Sequence, residues 1–290
     1  MDPVSMHASR PSLSTRPSSS GVLMCVFFDA EPGRRVLDEA PIAAAQLKKV
    51  MSPPYPILLL ANAKARSMLV RADARAVFDR SRELHLDRRI LEFDRGTWRG
   101  VRYARPYLHK LSCLLQSDFN QTVFIDCDTF VVQPSLIHHM LTSVLAVADV
   151  AMPMDPGREA HLSIGSPPWI SSSSSGPPPL CSALMAYSKS PIADALWLGA
   201  ARRLLGRAHP EVRQGDQEMV WFEWTQGVGR SMRILPLPEE YFCPLESKQR
   251  VPRVDDPSRP LTWHTSWRRG NYICRAVHGH QFTSLFRAML

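Results

Sequence analysis

The chain has 290 residues, enough for one sizeable α/β core, and its 35 Lys and Arg exceed its 27 Asp and Glu to leave a net charge of +8. That balance suits an anionic ligand, while the lack of zinc-finger spacing, an aromatic–basic RNA signature or a block of like charges argues against nucleic acid as a partner. No apolar run reaches the roughly 18 residues of a membrane span, the N-terminus has no apolar secretory stretch, and six scattered cysteines without a C-x-x-C pair read as small core residues rather than a disulfide framework.

Residues 1–20, rich in Ser and Pro, lack core-forming side chains and are expected to be a disordered tail. Gly21 to Phe28 (GVLMCVFF) reads as a buried strand ending at Asp29, Glu39 to Met51 as an Ala-rich helix, and Pro56 to Ala61 as a second strand. Lys64 to Arg82 has the pattern of a basic amphipathic helix, and Ile90 to Phe93 that of a short strand. Such strand–helix alternation predicts a doubly wound sheet flanked by helices.

Tyr103 to Ser117 is expected to be a helix, with Leu108, Leu111, Leu114 and Leu115 at core spacing and Lys110 off that stripe. It leads into Gln121 to Pro134 (QTVFIDCDTFVVQP), where Val123, Phe124 and Ile125 run straight into Asp126 and Asp128. An apolar run of β-formers reads as a strand buried on both faces, and parallel sheets bind ligands at the carboxyl ends of such strands. Two carboxylates about 4 Å apart repel by roughly 4 kcal/mol at an effective dielectric near 20. A divalent cation turns that repulsion into attraction, and hard oxygen donors suit Mg²⁺ or Mn²⁺. Asp126 and Asp128 are therefore the candidate metal ligands, with the late His264 available as a third. The plain alternative is a pair of solvated turn acids.

Beyond this point Pro134 to Leu145 reads as a helix and Val147 to Met152 as a strand. Ser163 to Pro179 is a Ser-, Gly- and Pro-rich loop, followed by a strand over Leu180 to Tyr187 and a helix over Pro191 to Leu205. Gly215-Asp216-Gln217-Glu218 opens another helix, where an acid most often serves as a cap. Met232 to Leu235 is expected to be the last strand, with the remainder irregular up to a short C-terminal helix.

Lys110-Leu111, Cys113, Val123-Phe124-x-Asp126-x-Asp128-Thr129-x-Val131, Gly215-Asp216-Gln217 and His264 together resemble the glycogenin-like nucleotide-sugar glycosyltransferases of the GT-A fold. Their order covers Gly21 to about Asn271. The resemblance implies one domain over residues 21–290, with a nucleotide lobe to about residue 133 and an acceptor lobe beyond it sharing one mixed sheet. It implies that Asp126, Asp128 and His264 bind Mn²⁺ (or Mg²⁺), which bridges the diphosphate of a nucleotide sugar, UDP-linked. It also implies that Lys110 reaches the donor phosphates, that Asp126 touches the ribose, and that Phe28 and Asp29 lie by the nucleobase. Asp216 and Gln217 would face the transferred sugar and an unidentified acceptor, with retention at the reacting carbon.

The chain departs from the family pattern in two places. Cys181-Ser182-Ala183 stands where an Asn-Ser/Thr-Gly strand is usual, and Arg268 stands near the place of a lysine after the histidine. An arginine binds diphosphate with a different, forked geometry. Two other readings of the same acids remain: a phosphohydrolase of the haloacid dehalogenase type using Asp126 as nucleophile, and a relative that binds nucleotide sugars without turnover.

Overall fold

The computed structural model describes residues 20–27, 34–71, 74–93, 105–131, 133–154, 180–206, 215–238, 241, 243–244 and 262–264. Five apolar segments build the middle of the molecule. Strand β1 (Ser20–Val26) lies between β2 (Ile57–Ala61) and β4 (Gln121–Ile125), parallel to both. β4 also pairs antiparallel with β7 (Leu184–Ser188), which pairs antiparallel with β6 (Val150–Pro153). The edges are β3 (Arg80–Glu83), parallel to β2, and β8 (Ile234–Leu237), parallel to β6. The seven strands are ordered β3-β2-β1-β4-β7-β6-β8, a mixed sheet.

Strand alternation divides the core between the two faces of this sheet. Val22, Met24, Val123 and Ile125 face helices α1 (Arg34–Val50) and α2 (Ala63–Arg71). On that side also lie α5 (Leu136–His139), a π-helical turn (Met140–Val144) and α6 (Leu145–Val147). Leu23, Leu58 and Phe124 face α4 (Arg105–Leu115), α7 (Pro191–Gly206) and α8 (Asp216–Gln226). Each fully buried Leu or Phe contributes roughly 1.5–3 kcal/mol, so the five buried residues of β2, ILLLA, anchor the sheet from both sides. At Gly21 the chain needs the smallest residue, because an added Cβ would lie 2.4 Å from the Phe119 ring.

Several elements differ from the sequence expectation. The helix expected over Lys64 to Arg82 closes at Arg71, and residues 80–83 form the edge strand β3 instead. That strand reads RSRE and is only partly buried, so it carries no hydrophobic pattern to mark it. The expected strand at Ile90 to Phe93 is α3 (Arg88–Leu91), started by the Asp87 carboxylate accepting from Arg89 N–H, with Ile90 its one buried residue. β7 begins at Leu184 rather than Leu180, because residues 182–183 make a turn. β8 is not the last strand: a second sheet is ordered β5-β10-β9, from β5 (Thr129–Val131), β9 (Cys243–Pro244) and β10 (Thr262–His264). α1 supports it through Gln46, whose buried amide donates to the Val131 carbonyl. Of the expected N-terminal tail, Ser20 opens β1; the rest of it, the 163–179 loop and the C-terminal helix lie outside the described residues.

Candidate functional site

The site forms where β4 ends. Asp126 leaves the strand with its N–H still bonded to the Ala183 carbonyl at 2.8 Å, and its own carbonyl accepts from Thr129 N–H at 3.0 Å. These two bonds fix a tight turn that presents Asp126 and Asp128, two positions apart. The side chain of Cys127, between them, points inward, is buried, and donates to the Cys25 carbonyl at 3.2 Å. β10 then runs antiparallel to β5, with His264 in register with Thr129. The backbone of the predicted third ligand therefore lies across from the residue that follows Asp128.

Lys110, off the leucine stripe of α4, is nevertheless largely buried. Its side chain is 12% exposed, and its ammonium lies 5.1 Å from the centroid of the Phe124 ring. It donates to Asp126 Oδ2 at 2.9 Å and to Ser182 Oγ at 3.0 Å, and lies 3.3 Å from Asp216 Oδ2. Burial alone would favour the neutral amine, but the charges of Asp126 and Asp216 outweigh it and hold the lysine pKa above its ordinary value. The ammonium thus stays charged at any physiological pH.

Asp216 is not a cap. Gly215 takes the N-cap position, and its N–H is bonded by Glu218 Oε2 at 2.8 Å, leaving the buried Asp216 carboxylate directed at Lys110. Beside it, Gln217 Oε1 accepts from the Ser182 N–H at 3.3 Å. Four residues named from sequence, Lys110, Asp126, Asp216 and Gln217, are therefore linked in one cluster drawn from α4, β4 and α8. Ser182 connects them; the sequence marks it only as part of Cys181-Ser182-Ala183, with no role of its own. It is the one serine or threonine inside LCSALMAY.

At the neighbouring end of β1, Phe27 stacks on His109 of α4 with ring centroids 3.8 Å apart and planes 20° from parallel. Phe28, Asp29 and Arg268, predicted to contact the donor, lie outside the described residues, as does the side chain of His264. Of the four cysteines with described side chains, three lie in the core and Cys25 is half-buried. Cys113, Cys127 and Cys181 are buried and unpaired by disulfides, and burial raises the pKa of Cys113 and Cys127.

Carboxylate oxygens are the donor type that a hard divalent cation takes. Lys110 pairs with Asp126 and Asp216, and Asp128 follows Asp126 two positions on in the same turn. The Asp126 carboxylate binds Lys110 through Oδ2 and remains 29% exposed, and a carboxylate has acceptor capacity beyond one such bond. Among the described residues no group of three His, Cys, Asp or Glu side chains is placed to hold a metal. Asp126 and Asp128 are the acids of this turn, and the backbone of His264 lies opposite Thr129.

No protein-family model matches the sequence, and no curated protein is similar to it. Solved structures are similar in fold. Mouse xyloside xylosyltransferase 1, in its apo form, superposes with a TM-score of 0.50 at 12% identity, over 86% of this chain and 98% of its own. The bifunctional glycosyltransferase WbbM gives 0.53 at 13% identity, over 89% of this chain and 47% of that one, so this chain spans about half of WbbM. The galactosyltransferase LgtC, solved with donor and acceptor sugar analogues, gives 0.51 at 10% identity, over 84% and 86%. The chain has the GT-A fold: a mixed seven-stranded sheet flanked by helices.

Proposed function

We propose that this protein is a metal-dependent glycosyltransferase that moves a sugar from a nucleoside diphosphate donor, UDP-linked, to an acceptor, with retention at the transferred carbon. The observation that carries the reading is the buried ammonium of Lys110 held between Asp126 and Asp216 at the carboxyl end of the central strand. Support also comes from the fold and from LgtC, a similar structure solved with donor and acceptor sugar analogues.

Transfer from such a donor separates a diphosphate from a sugar centre with oxocarbenium character, so negative charge grows on the leaving group. Lys110 offers a fixed positive charge for that moment; because Asp126, Asp216 and Ser182 already hold it, it needs little reorganisation. Asp126 and Asp128 would hold Mn²⁺ or Mg²⁺, which supplies Lewis-acid stabilisation of the diphosphate when bound. Asp216 and Gln217, on the first turn of α8, would orient the sugar and the acceptor. The stacked Phe27 and His109, at the end of the parallel neighbour β1, would flank the base end of the donor together with Phe28 and Asp29.

The reading is tested by incubating the full chain with a panel of nucleotide sugars and acceptors in Mn²⁺, then repeating with EDTA. Metal-dependent formation of a glycosylated product is expected. Hydrolysis of a generic phosphate ester would favour the phosphohydrolase, and binding of UDP with Mn²⁺ without turnover would favour a binding module.

A further inference from the structure

We propose that Ser182 is the positioning residue of this site, fixing Lys110 through its hydroxyl and Gln217 through its backbone N–H.

A lysine ammonium has three protons to donate and no acceptor. Lys110 faces three oxygens: Asp126 Oδ2 at 2.9 Å, Ser182 Oγ at 3.0 Å and Asp216 Oδ2 at 3.3 Å. Two carboxylates alone attract the cation but leave it free to settle against either one. The hydroxyl is the neutral third point that determines where between them the nitrogen rests. Ser182 can serve as that point because its own position is determined by backbone geometry. It lies in the turn before β7, buried, between the Cys181 N–H bonded to the Pro153 carbonyl at 2.8 Å and the Ala183 carbonyl bonded to Asp126 N–H at 2.8 Å.

The same residue reaches the other side of the site. Its N–H donates to Gln217 Oε1 at 3.3 Å, so one short turn aligns a side chain of α4 with a side chain of α8. Loss of the hydroxyl would leave an ammonium proton without its acceptor in a nearly water-free place, which is costly for a charged donor. Loss of the backbone donor cannot be engineered by side-chain exchange, so the hydroxyl carries the test. The inference rests on the proposed donor site for its functional meaning, but the positioning itself is measurable without it.

In the full chain with ¹⁵N-labelled lysine, a hydrogen-bonded, nearly buried ammonium should give a slowly exchanging Nζ signal, assigned by its loss in Lys110→Arg. Ser182→Ala should lose or strongly broaden that signal while leaving the melting temperature within a few degrees, and Ser182→Thr, which keeps the hydroxyl, should retain it. Affinity for UDP with Mn²⁺ should fall about tenfold in Ser182→Ala, the scale of one hydrogen bond to a charged group, and recover in Ser182→Thr. If Ser182→Ala does not fold, Ser182→Cys takes its place. An unchanged ammonium signal in the Ala or Cys variant would overturn the positioning role. A lost signal in a protein whose wild type does not bind UDP would support the positioning and overturn the donor-site reading instead.

Discussion

The Asp216 carboxylate, on the first turn of α8, lies 3.3 Å from the Lys110 ammonium on α4. The two helices meet here across the end of the central strand, and the contact converts two residues of ordinary type into one buried ion pair. Buried pairs are weak evidence for net stability, but breaking one side strands a charge and costs about 3–5 kcal/mol. Lys110→Met is therefore predicted to lower unfolding free energy in urea by roughly that amount and to abolish transfer. In a double-mutant cycle, Lys110→Met and Asp216→Asn should show a coupling of about 1–3 kcal/mol. Additive effects would mean that the pair does not act together. Lys110→Arg should not restore activity, because a planar fork cannot replace three diverging donors.

The packing beneath the site predicts a sharp contrast between two glycines. A Cβ at Gly21 would lie 2.4 Å from the Phe119 ring, whereas one at Gly206 meets nothing within 4 Å. Gly21→Ala should destabilise by about 1–3 kcal/mol, the usual cost of overpacking. Gly206→Ala, at the last residue of α7, should be neutral or slightly stabilising. Thermal melts of both variants check this; equal melting temperatures would contradict the contact.

Tyr187 gives a test on the opposite side of the sheet from α1. Its ring meets Trp197 edge-on at 5.5 Å, and its buried hydroxyl donates to the Leu114 carbonyl at 2.7 Å. Burial, the largest influence, pushes the phenol pKa up, so the group stays protonated and keeps donating. Tyr187→Phe removes a donor and leaves a buried carbonyl, with an expected loss of about 1–3 kcal/mol in denaturant unfolding.

Much of this arrangement is legible in the sequence, for identifiable reasons. β1, β2 and β4 are buried on both faces, so they appear as continuous apolar runs. The acids that end β4 stand out against such a background. β3 could not be read, because an edge strand of RSRE is defined by its pairing to β2 rather than by side-chain pattern. β9 and β10, of two and three residues, exist only through pairing between distant segments. Lys110 was found by resemblance, yet its burial was hidden: helical spacing describes where Cα lies, while a lysine stem is long enough to carry its ammonium elsewhere. Ser182 was missed because its role comes from a turn inside what reads as one unbroken strand.

Acid should weaken the fold in a defined direction. Among the described residues, three aspartates titrate below their ordinary value. For Asp79, burial would raise the pKa but hydrogen bonds from Lys48 and Ile57 N–H prevail. For Asp87, burial is likewise outweighed by Arg89; for Asp149, the bonds from Arg233 dominate directly. A carboxyl group with a lowered folded pKa binds protons more readily when unfolded, so its stabilisation is present above the unfolded value, 3.8, and is lost as pH falls through the lower folded value. The melting temperature should be flat above about pH 5 and fall below pH 4. Asp87→Asn, which removes the Asp87–Arg89 ion pair at 3.0 Å, should flatten part of that fall.

The central claim is that Asp126 and Asp128 hold a divalent cation that receives a nucleoside diphosphate. It is tested most directly by thermal shift of the full chain with UDP, with and without Mn²⁺, in the wild type and in Asp128→Ala. At a ligand concentration near 100 times Kd, linkage adds about 2.7 kcal/mol, which for a chain of this size is a rise of roughly 5–10 °C. That rise is expected for wild type with UDP and Mn²⁺ together, little with either alone, and none in Asp128→Ala. A rise that is the same without metal, or that survives in Asp128→Ala, would contradict the claim.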